Sequence, residues 1–219
     1  MNPNSWIFFD LGGTLIDESR QEEYIADTVV SEFAKYGVMY SISDVYDAMR
    51  LASLRYKSVV KEAIRLLSET EEQYLGISDK AVYPHELESL FPRVIETLEL
   101  LAKRYRLGVI ANQDSGAEER LKKHHIHRYF SVFALSSELG VAKPDKRIFE
   151  YALRQAGCLP QNTYMVGDRL DNDIFPANHL NMNTIRVLQG VARYQQPLSE
   201  QYKPTYVLKA IGDLIHFAE

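Results

Sequence analysis

The chain has 219 residues, 46% hydrophobic and 25% charged, with 25 Lys plus Arg against 30 Asp plus Glu for a formal net charge of -5. These values exclude a disordered, collagen-like or membrane-embedded chain, and they speak against a broad nucleic-acid footprint, which needs clustered Lys and Arg. The start "MNPNSWIFF" lacks the basic and long apolar regions of a secretory signal, no stretch reaches the roughly 18 apolar residues of a membrane span, and Cys158 is the single cysteine, so the expected location is cytoplasmic.

The first element is the apolar run Ile7-Phe8-Phe9, a buried strand that stops at Asp10 and runs into Gly12-Gly13. Residues 18–83 then read as helical with no strand run between. "YIADTVVSEFAKYG" carries an apolar stripe ended by Gly37, and "SDVYDAMRLASLRYKSVVKEAIRLLSE" opens on Ser43 as a cap and predicts one helix of roughly seven turns. "FPRVIETLELLAKRY" places Pro92 in a first helical turn, with Val94, Leu98, Leu101 and Ala102 recurring on one face. Strand runs follow at 107–111, 132–135, 164–166, 184–187 and 206–208. Between them "PDKRIFEYALRQAG" puts Ile148, Ala152 and Leu153 on one helix face and closes at Gly157. Alternating strands and helices predict an α/β fold, a parallel sheet covered by helices on both faces, formed by residues 1–17 and 84–219 with 18–83 inserted as a helical lid.

Ligands of such sheets bind at the carboxyl ends of the strands. Asp10 ends the first strand, Asn112 ends the run at 107–111, and Lys143-Pro144 lies in the loop after 132–135. Gly167-Asp168-Arg169-Leu170-Asp171-Asn172-Asp173 follows the run at 164–166. Acids at two strand ends suit a hard cation such as Mg²⁺, and a lysine beside them offsets the charge of a carboxylate and a phosphoryl group. A lone aspartate after a strand is ordinarily a turn residue. The glycine pair has no Gly-Lys-Ser/Thr continuation and no GxGxxG pattern, so neither a P-loop nor a dinucleotide site is present.

The four signals in this order resemble the haloacid dehalogenase superfamily over nearly the whole chain. "FFDLGGTLID", "LGVIANQ", "VAKPDKRIF" and "MVGDRLDNDIFPA" are similar to its first to fourth motifs, and the phosphoglycolate-phosphatase-like branch, with its helical cap of the first type, is nearest in overall pattern. The resemblance implies a Rossmann-like three-layer core with an inserted α-helical cap, and a Mg²⁺-dependent hydrolase acting on a small phosphorylated metabolite. Asp10 would be the nucleophile that forms an aspartyl-phosphate. The Asp10 side chain, the Gly12 carbonyl, Asp168 and Asp173 would hold the ion, Asp173 directly or through water. Lys143 would hold the nucleophile and the phosphoryl charge, Asn112 would donate to phosphate, and Thr14 would serve the phosphate site by fixing the loop after the nucleophile. No oligomeric state is implied.

Two positions depart from that pattern. Where most phosphatases of the family carry a second aspartate, acid for the leaving group and base for water, this chain has Gly12; where the second motif ends in Ser or Thr it has Ala111. An acid–base group supplies roughly 10² to 10⁴ in rate, and a hydrogen bond to a charged group about 1.5 to 3 kcal/mol. The departures leave three readings open: an enzyme of reduced activity or restricted to good leaving groups, a non-catalytic protein that binds Mg²⁺ and a phosphorylated ligand or a protein partner, or a phosphonoacetaldehyde-hydrolase-like reaction with Lys57 or Lys61 as the amine. A metal-free dehalogenase is disfavoured by the acidic "GDRLDND".

Remaining polar clusters have plainer readings. His124, His125 and His127 fit no regular zinc spacing and read as a helix end. Asp17 and Glu18 are loop acids that could replace the missing one, and Arg20, Arg50 and Arg55 read as a solvated helix face or as contacts to an anionic substrate.

Overall fold

The structure, a computed structural model, describes residues 5–217. In chain order its elements are β1 (Trp6–Phe9), β2 (Ile16–Asp17), α1 (Ser19–Lys35), α2 (Ile42–Leu54), α3 (Val59–Leu67), α4 (Glu71–Ser78), β3 (Ser89–Leu90), α5 (Val94–Leu101), β4 (Arg106–Ala111), α6 (Ala117–Lys123), β5 (Phe130–Leu135), α7 (Ser136–Leu139), α8 (Lys146–Ala156), β6 (Thr163–Gly167), α9 (Phe175–His179), β7 (Asn183–Val187) and β8 (Tyr206–Leu208). Six strands form one parallel sheet in the order β5-β4-β1-β6-β7-β8, and β2 pairs with β3 as a short antiparallel ribbon. Among the described residues no helix is long and apolar enough to cross a membrane.

Every residue of β1 is buried because both faces of the sheet are covered. Strand side chains alternate. Ile7 and Phe9 therefore pack with Val94, Leu98 and Leu101 of α5, while Trp6 and Phe8 pack with Ile148, Phe149 and Ala152 of α8. An unbroken apolar run is the signature of that double burial, and it ends where Asp10 leaves the sheet.

The chain divides into two compact units, one of Met1–Asp17 with Ser89–Glu219 and one of Glu18–Glu88. The return falls at Ser89 instead of residue 84, because the helical turn His85–Leu87 packs on α1 and belongs with the helices. The helical unit has its own core: Ile25, Val29 and Phe33 of α1 meet Val45 and Met49 of α2, Val60 and Ile64 of α3, and Ile77 of α4.

Local structure corrects the helix expectations at three places. The cap of α2 is Ser41, whose hydroxyl accepts from the Asp44 N–H at 3.2 Å while the Asp44 carboxylate accepts from the Ser41 N–H at 2.7 Å, a capping box two residues before Ser43. The single long helix is two. Tyr56 adopts φ +58, and the Tyr56 and Lys57 N–H groups donate to the carbonyls of Ser53 and Ala52, closing α2 with a Schellman turn built on tyrosine in place of glycine. Finally, α5 begins at Val94 after a turn in which Arg93 is left-handed, so Pro92 precedes the helix; Ala102 lies past its end and is exposed. α8 follows expectation, with Asp145 capping its start and Gly157 left-handed at its end.

Candidate active site

Asp10 sits one residue past β1, and its N–H continues the ladder to the Val166 carbonyl of β6 at 2.9 Å. The chain then turns tightly: the Leu11 carbonyl accepts from the N–H groups of Thr14, Leu15 and Ile16, and Gly13 donates to the Ile16 carbonyl at 3.0 Å. Gly13 has φ +67, and a Cβ built there would lie 2.6 Å from Asp168 Oδ2. Glycine is required twice over, for the turn and for the close approach to the acid of the next strand.

Asp168 follows β6, and a π-helical turn over Leu170–Ile174 comes next, in which the Asp173 and Ile174 N–H groups both reach the Arg169 carbonyl, at 3.1 and 3.3 Å. Such turns are uncommon and recur at functional sites. This one folds Asp173 back against Gly167, where a Cβ would lie 2.3 Å from the carboxylate carbon. Asp173 is 0% exposed; its Oδ1 accepts from Lys143 Nζ at 2.6 Å and its Oδ2 from the Arg169 N–H at 3.0 Å.

Lys143 is the hinge of the cluster. Its side chain is 2% exposed, and its Nζ lies 2.8 Å from Asp10 Oδ1 as well as 2.6 Å from Asp173. Asn112 at the end of β4 holds it from behind. The Asn112 amide donates to the Lys143 carbonyl at 2.9 Å and accepts from the Lys143 N–H at 2.7 Å. These two bonds tie Asn112, expected as a phosphate donor, to the Lys143 backbone. Thr14 is 0% exposed within the turn after Asp10.

Carboxylate oxygens of Asp10, Asp168 and Asp173 lie within 4.8 Å of one another. Three acids against one ammonium leave an excess of negative charge in a buried place. Burial, reinforced by the Asp10 charge, raises the Asp173 carboxyl to about 7 against the pull of Lys143. Burial alone would push the Lys143 ammonium down, but Asp10 and Asp173 outweigh it and hold it above the usual lysine value. An all-oxygen donor set with surplus negative charge fits a hard divalent cation, which a neutral or sulfur-rich set would not. Each of the three acids offers one oxygen to such an ion, and both Asp173 oxygens also accept hydrogen bonds.

Ala111, which stands where the resembled second motif ends in Ser or Thr, ends β4 fully buried in the apolar core. Gly12 is half-buried and, unlike Gly13, lies outside the left-handed region. Lys57, Lys61, Arg20 and Arg55 are exposed, and Arg50 pairs with Asp47 at 3.1 Å. Asp17 lies in β2 and Glu18 precedes α1. His125 is the left-handed residue closing α6; the His127 ring stacks on Phe133 and meets Glu118 at 2.8 Å, a structural pairing.

Two supporting residues lie outside the motifs. Arg186 of β7, 5% exposed, donates to the carbonyls of Asp168, Gln195 and Ala192 at 3.2, 3.1 and 2.8 Å. Gln195 in turn accepts from the Leu170 N–H at 2.8 Å and donates to Asp171 Oδ1 at 3.2 Å. Their only trace in the sequence is a charged residue inside the apolar strand "TIRV", a place where arginine is rare unless partnered.

A parallel α/β sheet with acids and a buried lysine at its carboxyl edge defines a phosphatase-like hydrolase. Residues 7–187 match the haloacid dehalogenase-like hydrolase family, and the chain belongs to it. It is 32% identical over 190 residues to a glyceraldehyde 3-phosphate phosphatase of Methanothermobacter thermautotrophicus, covering 83% of this chain and 84% of that one. Its fold is that of a phosphoglycolate phosphatase, so described by prediction, from Haemophilus somnus, with TM-score 0.75 and 23% identity over 100% of both chains. It is also that of a Bacillus subtilis HAD-hydrolase bound to magnesium, with TM-score 0.65 and 20% identity over 98% of both.

Proposed function

We propose that this chain is a Mg²⁺-dependent phosphohydrolase of small phosphorylated metabolites whose nucleophile is Asp10, and that it favours phosphates with good leaving groups. The observation that carries the proposal is the convergence of carboxylate oxygens of Asp10, Asp168 and Asp173 within 4.8 Å, with the Lys143 ammonium paired to Asp10 and Asp173. The ion would be held by the Asp10 and Asp168 carboxylates and the Gly12 carbonyl, with Asp173 behind them. Bound there it supplies Lewis-acid neutralisation of the phosphoryl charge. Asp10 Oδ attacks phosphorus, the bond from phosphorus to the leaving oxygen breaks, and water later cleaves the aspartyl-phosphate to return the carboxylate. Lys143 keeps Asp10 oriented while offsetting the negative charge of the transferred group.

Gly12 sets the restriction. With no carboxyl at this position to protonate the departing oxygen, the leaving group must depart as a stable anion, which acyl and aryl phosphates allow and simple alkyl phosphates do not. The related phosphatase from Methanothermobacter supports a small phosphorylated substrate, and the magnesium-bound Bacillus structure supports the ion. Gly12 and Ala111 also favour a second reading, a silent protein that binds the ion and a phosphorylated ligand. A screen of phosphorylated metabolites, acyl phosphates and aryl phosphates with Mg²⁺ separates the two. The enzyme reading expects turnover that disappears in Asp10→Asn; calorimetric Mg²⁺ binding without turnover on any phosphate overturns it in favour of the second.

A further inference from the structure

We infer that Arg186 and Gln195 form a buried strap that sets the geometry of the Asp168 end of the cation site, acting as positioning residues. The inference rests on the Mg²⁺ reading above and concerns residues that none of the four motifs contains.

Arg186 lies in β7 opposite Gly167, the residue before Asp168. Its guanidinium carries three kinds of donor in a rigid fork, and here each prong takes a carbonyl from a different residue: Nε that of Asp168, Nη1 that of Gln195 and Nη2 that of Ala192. The Asp168 carbonyl is thereby tied to the segment after β7. The strap returns to the acidic loop through Gln195, which is 0% exposed and spans the Leu170 N–H and the Asp171 carboxylate with the two ends of its amide. Asp171 is held again by Arg169 at 2.6 Å. The loop that carries Asp168 and Asp173 is thus fixed at its first residue by one link and at its third and fourth by another, both starting from the same buried cation.

Burying a guanidinium and an amide this completely costs a great deal unless every donor is used. Apolar side chains of similar size would fill the space at no such cost. What the polar pair adds is direction: it fixes the main chain of a loop whose two acids must lie within a few tenths of an ångström of their working positions, as partners behind metal ligands do in other sites.

Two substitutions test this by isothermal titration of the purified chain with Mg²⁺. Gln195→Leu keeps size and charge but removes the link to Leu170 and Asp171. Arg186→Lys keeps the charge but cannot hold three carbonyls. Both are expected to weaken Mg²⁺ binding by roughly 10- to 100-fold, the usual effect of losing a partner behind a ligand. Because neither changes net charge, altered attraction for the ion is not an explanation, and the affinity is read on folded protein, so a general loss of stability does not reproduce the result. If Arg186→Lys does not fold, Gln195→Leu decides. Unchanged affinity in Gln195→Leu, with the wild-type chain binding Mg²⁺ normally, overturns the strap alone. A wild-type chain that takes up no Mg²⁺, with Asp168→Asn indistinguishable from it, overturns the cation site itself and the strap with it.

Discussion

The Asp173 carboxyl is pushed well above the ordinary aspartate value. Burial and the neighbouring Asp10 charge raise it to about 7 from its usual 3.8, with Lys143 and the Arg169 N–H pulling the other way. The folded, metal-free chain therefore binds more protons than the unfolded chain between these values. This group's contribution to stability is complete below its unfolded pKa and is lost as pH climbs through the folded one. The raised lysine acts only in the alkaline range and leaves this window alone. In EDTA, the thermal midpoint is expected to lose this contribution from pH 5 to pH 8, a loss that saturating Mg²⁺ removes; a Mg²⁺ effect of equal size at both pH values would contradict the assignment. At Gly12 the backbone accepts an L residue, so Gly12→Asp is expected to raise hydrolysis of alkyl phosphates by roughly 10² or more at constant Asp10 dependence, in a steady-state assay. Asp10, Lys143, Asp168 and Asp173 were legible in the sequence because each follows a strand run within a short linear pattern. Asn112 was legible as a candidate site residue, but its bonds to the Lys143 backbone were not, since they join positions 31 apart that no local pattern links. Arg186 and Gln195 escaped for the same reason.

Elements show where local chemistry speaks plainly and where it does not. α8 announced both its ends with Asp145 and Gly157, and the inner strands of the main sheet stood out as apolar runs because they are covered on both faces, while the edge strand β8 was an apolar run although exposed. The break between α2 and α3 did not, since its left-handed residue is Tyr56 and the apolar spacing continues on either side. The same limit applied to the cap, where Ser41 and Ser43 are both suitable and only the position of Asp44 decides between them. The turn between β1 and β2 is the most constrained of all. Gly13→Ala forces a Cβ into the left-handed region and against the Asp168 carboxylate, so it is expected to cost at least about 1 to 3 kcal/mol in urea unfolding and to weaken Mg²⁺ binding. Retention of wild-type stability would show that the turn relaxes freely.

At the scale of the whole molecule, two units with separate cores divide the labour. All of the acids and the lysine belong to the unit with the parallel sheet, while Phe33 anchors the core of the other. Phe33→Ala is expected to cost roughly 3 to 5 kcal/mol in the helical unit and to leave Mg²⁺ affinity within about twofold of wild type, which calorimetry on the folded variant checks. The division itself was legible, because a helix-only stretch interrupts a strand-and-helix rhythm; its far boundary was not, because the turn at His85–Leu87 has no apolar period and joins the helices through tertiary packing. The strand order has a consequence for how the chain assembles. β1 has no neighbour close in sequence: Trp6 pairs with Arg106 on one side and Thr163 on the other. The ladder of β1 cannot close until β6, which begins at Thr163, is available to pair with it, whereas α1 to α4 find their partners next door. The candidate site, which needs the ends of β1 and β6 side by side, is thus built on contacts of long sequence separation, unlike the core of the helical unit.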